Sequence, residues 1–324
     1  MNTNLQFQRW PLTSAAIGFG IWLAYTLSST GARWNYVTAI ECLLLLAILV
    51  FTPLALALLS QWQVDAQKEH VELWARWLQP FAALLVVWAF AQPTGALAAS
   101  LSVPWLLCTA LVALSGVKHL VRVGKRLPIH EYTLIAGKLY LPVGAGWLLL
   151  SRLGVRPLDF PAVIVLLTAV HFHYTGFALP VITTLTGRFL QRHTSVPPFY
   201  PWVAGAVVLA MPIIAVGITG VPWLEMGGVL LLAVGVIGLA ALIGLYVLRR
   251  LPSKLASVPL LIAMAAMVSA VSLGLLYGIG EWLGWSIMTI PAMVQWHGWL
   301  NALGFVACAL LGWLAAGAEV QLVD

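Results

Sequence analysis

The sequence predicts an all-α, polytopic transmembrane helix bundle of about ten helices, with both termini on the cytoplasmic side. Three observations carry this expectation: a membrane-like composition, apolar runs of spanning length, and an alternation of basic charge between those runs. Of 324 residues, 62% are hydrophobic and 8% are charged, against roughly 25% charged in soluble domains.

A membrane helix needs roughly 20 mostly apolar residues. Such runs lie near 12–30, 36–59, 80–99, 101–121, 133–150, 159–185, 200–219, 225–248, 258–279 and 289–315. The first, from Leu12 to about Leu27, exceeds the roughly 7–15 apolar residues of a signal peptide, so it reads as a membrane helix. The third and fourth are parted only at Ala99-Ser100, so nine helices with one interrupted segment is the alternative count. Between the second and third, residues 61–79 mix Asp65, Lys68, Glu69, His70, Glu72 and Arg76 with apolar positions. That pattern reads as an amphipathic loop on the cytoplasmic surface. The whole chain, 1–324, reads as one integral membrane domain without a convincing internal repeat.

The positive-inside rule sets the orientation. With the N-terminus inside, twelve basic residues are cytoplasmic: Arg9, Lys68, Arg76, Lys118, Arg122, Lys125, Arg126, Arg188, Arg192, Arg249, Arg250 and Lys254. Three are outside, Arg33, Arg152 and Arg156, and Lys138 lies within the fifth helix, close enough to the inner face to snorkel. Trp10, Trp34, Trp62, Trp77, Trp202, Trp223, Trp282 and Trp285 fall at helix ends, where indoles anchor at the headgroups. The net charge of +6 is spent on loops, so no nucleic-acid partner is expected and membrane lipids are. Cys42, Cys108 and Cys308 lie in apolar runs without ligand spacing, which argues against a disulfide framework or a structural zinc.

Ionisable groups deep in the bilayer are costly unless paired or wet, and they mark functional sites. Four stand out: Glu41, His171, His173 and His297. At about 1.5 Å per residue, Glu41, His297 and His171 lie roughly 8, 12 and 18 Å below the outer surface. Their related depth predicts a shared hollow in the outer half of the membrane. His171 and His173, two residues apart, face opposite sides of a regular helix. Pro180 removes a hydrogen bond to the Gly176 carbonyl, which predicts a kink. His297, Asn301, Gly304 and Cys308 form one stripe of the last helix. Tyr174, Thr175 and Asn301 are the expected substrate-positioning groups.

At His171-Phe-His-Tyr-Thr-Gly-Phe177, at His297-Gly-Trp-Leu-Asn301-Ala-Leu-Gly-Phe305 and at Ile40-Glu41, the chain resembles the YndJ-like family of bacterial integral membrane proteins. The resemblance implies a multi-pass protein of the bacterial inner membrane and marks Glu41, His171, His173, Tyr174, His297 and Asn301. It implies no particular activity.

Soluble-enzyme signatures are missing: there is no P-loop, GxSxG, HExxH or dinucleotide fingerprint. The sole aspartates are Asp65, Asp159 and Asp324, so a metal–diphosphate motif of the DDxxD kind is absent. Three readings remain. The first is a membrane-embedded enzyme doing acid–base chemistry (isomerisation, cyclisation or epoxide opening) on a lipophilic substrate. There His171 or His173 is the base and Glu41 or His297 the acid, and neither a cofactor nor a metal is required. The second is a proton-coupled carrier of a small or lipophilic solute, favoured by Pro53, Pro93, Pro142 and Pro180 within helices. The third is a haem protein using His171 or His173 with His297 as axial ligands, or a protein holding a first-row metal through Glu41 and two histidines.

Overall fold

The structure is a computed structural model and describes residues 3–31, 34–62, 70–124, 127–193, 195–251 and 253–323. Ten long helices follow one another, and no strand occurs among the described residues. They are α1 (Thr3–Ser28), α2 (Tyr36–Gln61), α3 (His70–Phe90), α4 (Ala96–Val123), α5 (Ile129–Leu153), α6 (Ala162–His193), α7 (Tyr200–Gly217), α8 (Pro222–Arg250), α9 (Lys254–Leu283) and α10 (Ile290–Ala318). Nine of them, α2 to α10, are long and apolar enough to cross a membrane among the described residues, and α1 has 26 residues. The expected all-α multi-pass architecture is therefore present.

Two boundaries differ from the sequence expectation. The break between the third and fourth helices falls at residues 91–95, where Pro93 cannot extend a helix and Gly95 adopts φ 151°. Ala99-Ser100 lies inside α4. Helix α3 begins at His70, so residues 70–79 of the expected surface loop form its first turns. Residues 63–69 of that loop lie outside the described residues.

The chain divides into two compact units, Met1–Leu127 with Leu134–Ala178, and Pro128–Thr133 with Leu179–Asp324. Of its three boundaries, 127/128 precedes α5, 133/134 falls inside α5 and 178/179 inside α6. In the first unit α2 is the buried axis, with 94% of its most apolar window covered by protein. Sequence dictates a local defect there. Pro53 has no N–H for the Leu49 carbonyl, and Ala47–Phe51 widens into a π-helical turn. Its freed carbonyls are collected by neighbours. Thr52 Oγ1 donates to the Ala47 oxygen at 2.9 Å, and Gln79 Nε2 donates to the Ile48 oxygen at 3.0 Å. Ser14 Oγ in turn donates to Gln79 Oε1 at 2.7 Å. Gly18 of α1 lies so close that a Cβ there would stand 2.1 Å from the Leu49 oxygen. In lipid every backbone polar group needs a partner within the protein, and this unit supplies them from three helices.

In the second unit α7 packs along α8, and α9 packs on α8 and α10. Small residues permit that approach: a Cβ on Gly304 would lie 2.7 Å from Ala266 Cβ, and one on Gly312 2.7 Å from Leu260 Cγ. Six of the eight tryptophans expected at helix ends, Trp34, Trp77, Trp202, Trp223, Trp282 and Trp285, are exposed, as headgroup anchors should be. Two are exceptions: Trp10 is half-buried, and Trp62 closes the end of α2 and is fully buried.

Candidate functional site

Glu41 sits on α2 nearly two turns below Asn35, whose side chain caps the helix by accepting from the amides of Val37 and Thr38. The Glu41 side chain is half-buried, and Tyr25 of α1 donates its hydroxyl to Oε2 at 3.0 Å. On the next residue the Cys42 carbonyl accepts from Trp22 Nε1 at 2.8 Å. One further on, the Leu43 carbonyl accepts from the Tyr174 hydroxyl at 2.9 Å. Phe51 meets the Tyr174 ring edge-on at 5.8 Å. Tyr174 thus ties α6 to α2 two residues from Glu41.

Pro180 disturbs α6 as the sequence requires, and the disturbance takes the form of a π-helical stretch, Phe172–Ala178. His171 and His173 do face opposite ways: His171 is exposed and His173 is 1% exposed. Trp105 of α4 donates its indole N–H to His173 Nε2 at 3.0 Å, and His173 Nδ1 bonds the Ala169 carbonyl at 2.8 Å. Indole can only donate and carbonyl can only accept. The ring is therefore neutral with its proton on Nδ1, and both nitrogens are engaged. Gly144 of α5 makes room for it, since a Cβ there would come within 2.8 Å of His173 Nδ1. His171 Nδ1 likewise bonds the Leu167 carbonyl at 2.8 Å, on the exposed side. Thr175 is half-buried in the π-helical stretch.

His297 and Asn301 belong to the second unit and are held in the same manner as His173. His297 Nδ1 bonds the Ala270 carbonyl at 2.8 Å, and Asn301 Nδ2 lies 3.1 Å from His297 Nε2 and 3.0 Å from the His297 carbonyl. The i, i+4 relation read from sequence is thus a direct contact, within a helix that is π-helical over Val294–Gly298 and Leu300–Ala307. Within the first unit, the hydrogen bonds of His171 and His173 go to backbone carbonyls and Trp105, and that of Glu41 goes to Tyr25. No three His, Cys, Asp or Glu side chains converge as metal ligands among the described residues. Iron ligation by His173 would require the Nε2 lone pair that Trp105 already occupies.

Three ionic arrangements escaped the sequence reading. Lys138 does not snorkel; it is 6% exposed, with Nζ 2.9 Å from Glu72 Oε2 and 3.1 Å from Ser115 Oγ. Arg76 Nη2 bonds the other oxygen of Glu72 at 2.6 Å and the Leu56 carbonyl at 3.1 Å. In the second unit Arg188, counted from sequence as a loop charge, is buried and grips Glu131 with Nε and Nη2 at 2.7 and 2.9 Å. This two-pronged geometry is the strong form of the ion pair. The third is Arg152, in the last turn of α5. Its guanidinium lies 4.7 Å from the Phe90 ring centroid, and its charge reaches Glu41 and Tyr25. The signal available for all three was a charge inside or beside an apolar run, but its partner lay tens of residues away.

A family model described as YndJ-like protein matches residues 42–305. The chain belongs to the YndJ-like family. A relative from Bacillus subtilis (strain 168) named "Uncharacterized membrane protein YndJ" is 27% identical over 277 residues, covering 86% of this chain and 49% of the relative. This family member thus spans about half the length of that relative. No solved structure matches. The α6 and α10 motifs lie inside the matched range, and Glu41 lies one residue ahead of it. Family and helices together make this an integral, multi-pass membrane protein.

Proposed function

We propose that this YndJ-like protein is a membrane-embedded enzyme of the bacterial inner membrane, with both termini cytoplasmic, performing acid–base chemistry on a lipophilic substrate. The observation that carries the reading is the Tyr25–Glu41 hydrogen bond at 3.0 Å. It sets a carboxyl and a phenol together, half-buried among apolar helices. A carboxyl so placed can deliver or remove the proton that starts an isomerisation, a cyclisation or an epoxide opening. Glu41 is the proton-exchanging group in this reading, and Tyr25 its donor. His171 is the candidate second base, because its ring is exposed. His173 and His297, with both nitrogens engaged, hold backbone, and Tyr174 and Thr175 position.

The test compares the lipid extracts of bacteria expressing the wild type, Glu41→Gln, or neither. One lipophilic species should change with the wild type, and E41Q should slow its conversion by about 10²–10⁴-fold. Identical extracts from all three would reject the enzyme.

A proton-coupled carrier is the second reading. It is favoured by π-helical stretches within four helices, α2, α6, α8 and α10, since interrupted helices accompany midplane sites in carriers. Proton uptake by proteoliposomes, abolished in E41Q, would select it.

A further inference from the structure

The Arg152 guanidinium is a buried cation without a full set of acceptors. Arg152 is 8% exposed, and its buried Nε has no hydrogen-bond partner. Its backbone is fixed, because Gly95 N–H donates to the Arg152 carbonyl at 2.8 Å and the 91–95 turn sits against Gly154 through Thr94. Phe90 covers one guanidinium face at 4.7 Å. Glu41 and Tyr25 lie within electrostatic reach, yet no direct ion pair joins Arg152 to Glu41 among the described residues. All these groups belong to the first unit.

A buried guanidinium normally has its fork of N–H groups filled by a carboxylate or phosphate. Glu41 is near enough to stabilise the charge but turns its Oε2 to Tyr25. A buried arginine at the end of a membrane helix, with a donor left bare, is a candidate site for such an anion. Phe90 favours the same location, since a ring face holds the cation without consuming its N–H donors.

We infer that Arg152, backed by Phe90, receives the anionic oxygens of an amphiphile's phosphate or carboxylate headgroup, placing that group beside the Tyr25–Glu41 pair. The inference deepens the Glu41-centred reading and rests on it for calling the anion a substrate: the lipophilic substrate is anionic. Anion binding itself stands apart from turnover.

The test uses the full chain in neutral-lipid nanodiscs. Dodecyl phosphate, inorganic phosphate and dodecyltrimethylammonium are compared as ligands by thermal shift and titration. Dodecyl phosphate should bind and should protect Arg152 from modification by phenylglyoxal, read by peptide mass spectrometry. Arg152→Gln should weaken it about 10–100-fold, the loss of charge-assisted hydrogen bonds. Glu41→Gln should bind as well as or better than the wild type, because a competing negative charge is gone. Equal binding of inorganic phosphate supports the site with a free anion as its source, and binding confined to dodecyl phosphate supports a lipid headgroup. Equal binding of the cationic amphiphile, wild-type affinity in R152Q, or modification of Arg152 undiminished by dodecyl phosphate would each overturn the inference. Should R152Q fail to fold, the charge selectivity and the protection of the wild type still decide it. An E41Q protein that binds the anion and turns over normally would reject the catalytic reading and leave this site standing.

Discussion

Trp105 donates its indole N–H to His173 Nε2 at 3.0 Å, and the two rings lie 17° from parallel with centroids 5.9 Å apart. The bond settles the tautomer of a fully buried histidine and joins α4 to α6 inside the first unit. Trp105→Phe keeps most of the ring contact and removes the donor. The bare Nε2 should cost about 1–3 kcal/mol, read as a lower unfolding temperature in detergent. An unchanged unfolding temperature would mean that the contact is incidental.

Gly18 and Gly20 lie two residues apart on α1 and differ entirely in surroundings. A Cβ at Gly18 meets the Leu49 oxygen at 2.1 Å, whereas one at Gly20 meets nothing within 4 Å. Gly18→Ala should destabilise by about 1–3 kcal/mol, the usual cost of overpacking. Gly20→Ala should be neutral or slightly stabilising, since alanine is the better helix former. Equal behaviour of the two variants would refute the close approach of α1 to the π-helical turn of α2.

Lys138 and Glu72 meet across 66 residues of sequence. Lys138→Met removes one of the two cations on that carboxylate and leaves Arg76 to hold it. Breaking a buried pair from one side costs about 3 kcal/mol, and protease resistance of the purified protein should fall accordingly. A snorkelling lysine would tolerate the change with little loss.

Arg188→Lys keeps the charge beside Glu131 but cannot reproduce the paired contacts of Nε and Nη2. A loss of about 1–2 kcal/mol is expected, since hydrogen bonds to charged groups contribute roughly that much. A loop arginine, the role read for Arg188 from sequence, would show no such sensitivity to lysine.

The helices were largely legible because their signals are local. Pro53 and Pro180 announced defects in α2 and α6, and each became a π-helical stretch close to the proline. The opposite facing of His171 and His173 followed from helical geometry alone. The stripe read from sequence put Asn301 on the same face as His297, and the structure shows the two in contact. Trp62 misled, because an indole at a helix end looks the same in sequence whether headgroups or a neighbouring helix cover it. Residues 70–79 misled similarly: Glu72 and Arg76 gave the stretch a surface look, while in three dimensions they face Lys138 and the Leu56 carbonyl.

By itself the sequence determined the class of this protein, its succession of apolar helices and the few polar residues among them. Insertion into a bilayer depends on the apolarity of each roughly 20-residue stretch taken alone, so it can be summed along the chain. Tertiary structure alone decided which polar groups meet. Tyr25 with Glu41, Trp105 with His173, Lys138 with Glu72 and Arg188 with Glu131 come from different helices. A hydrogen bond or ion pair acts only over a few ångströms, and it is the packing of helices that brings such distant positions within reach.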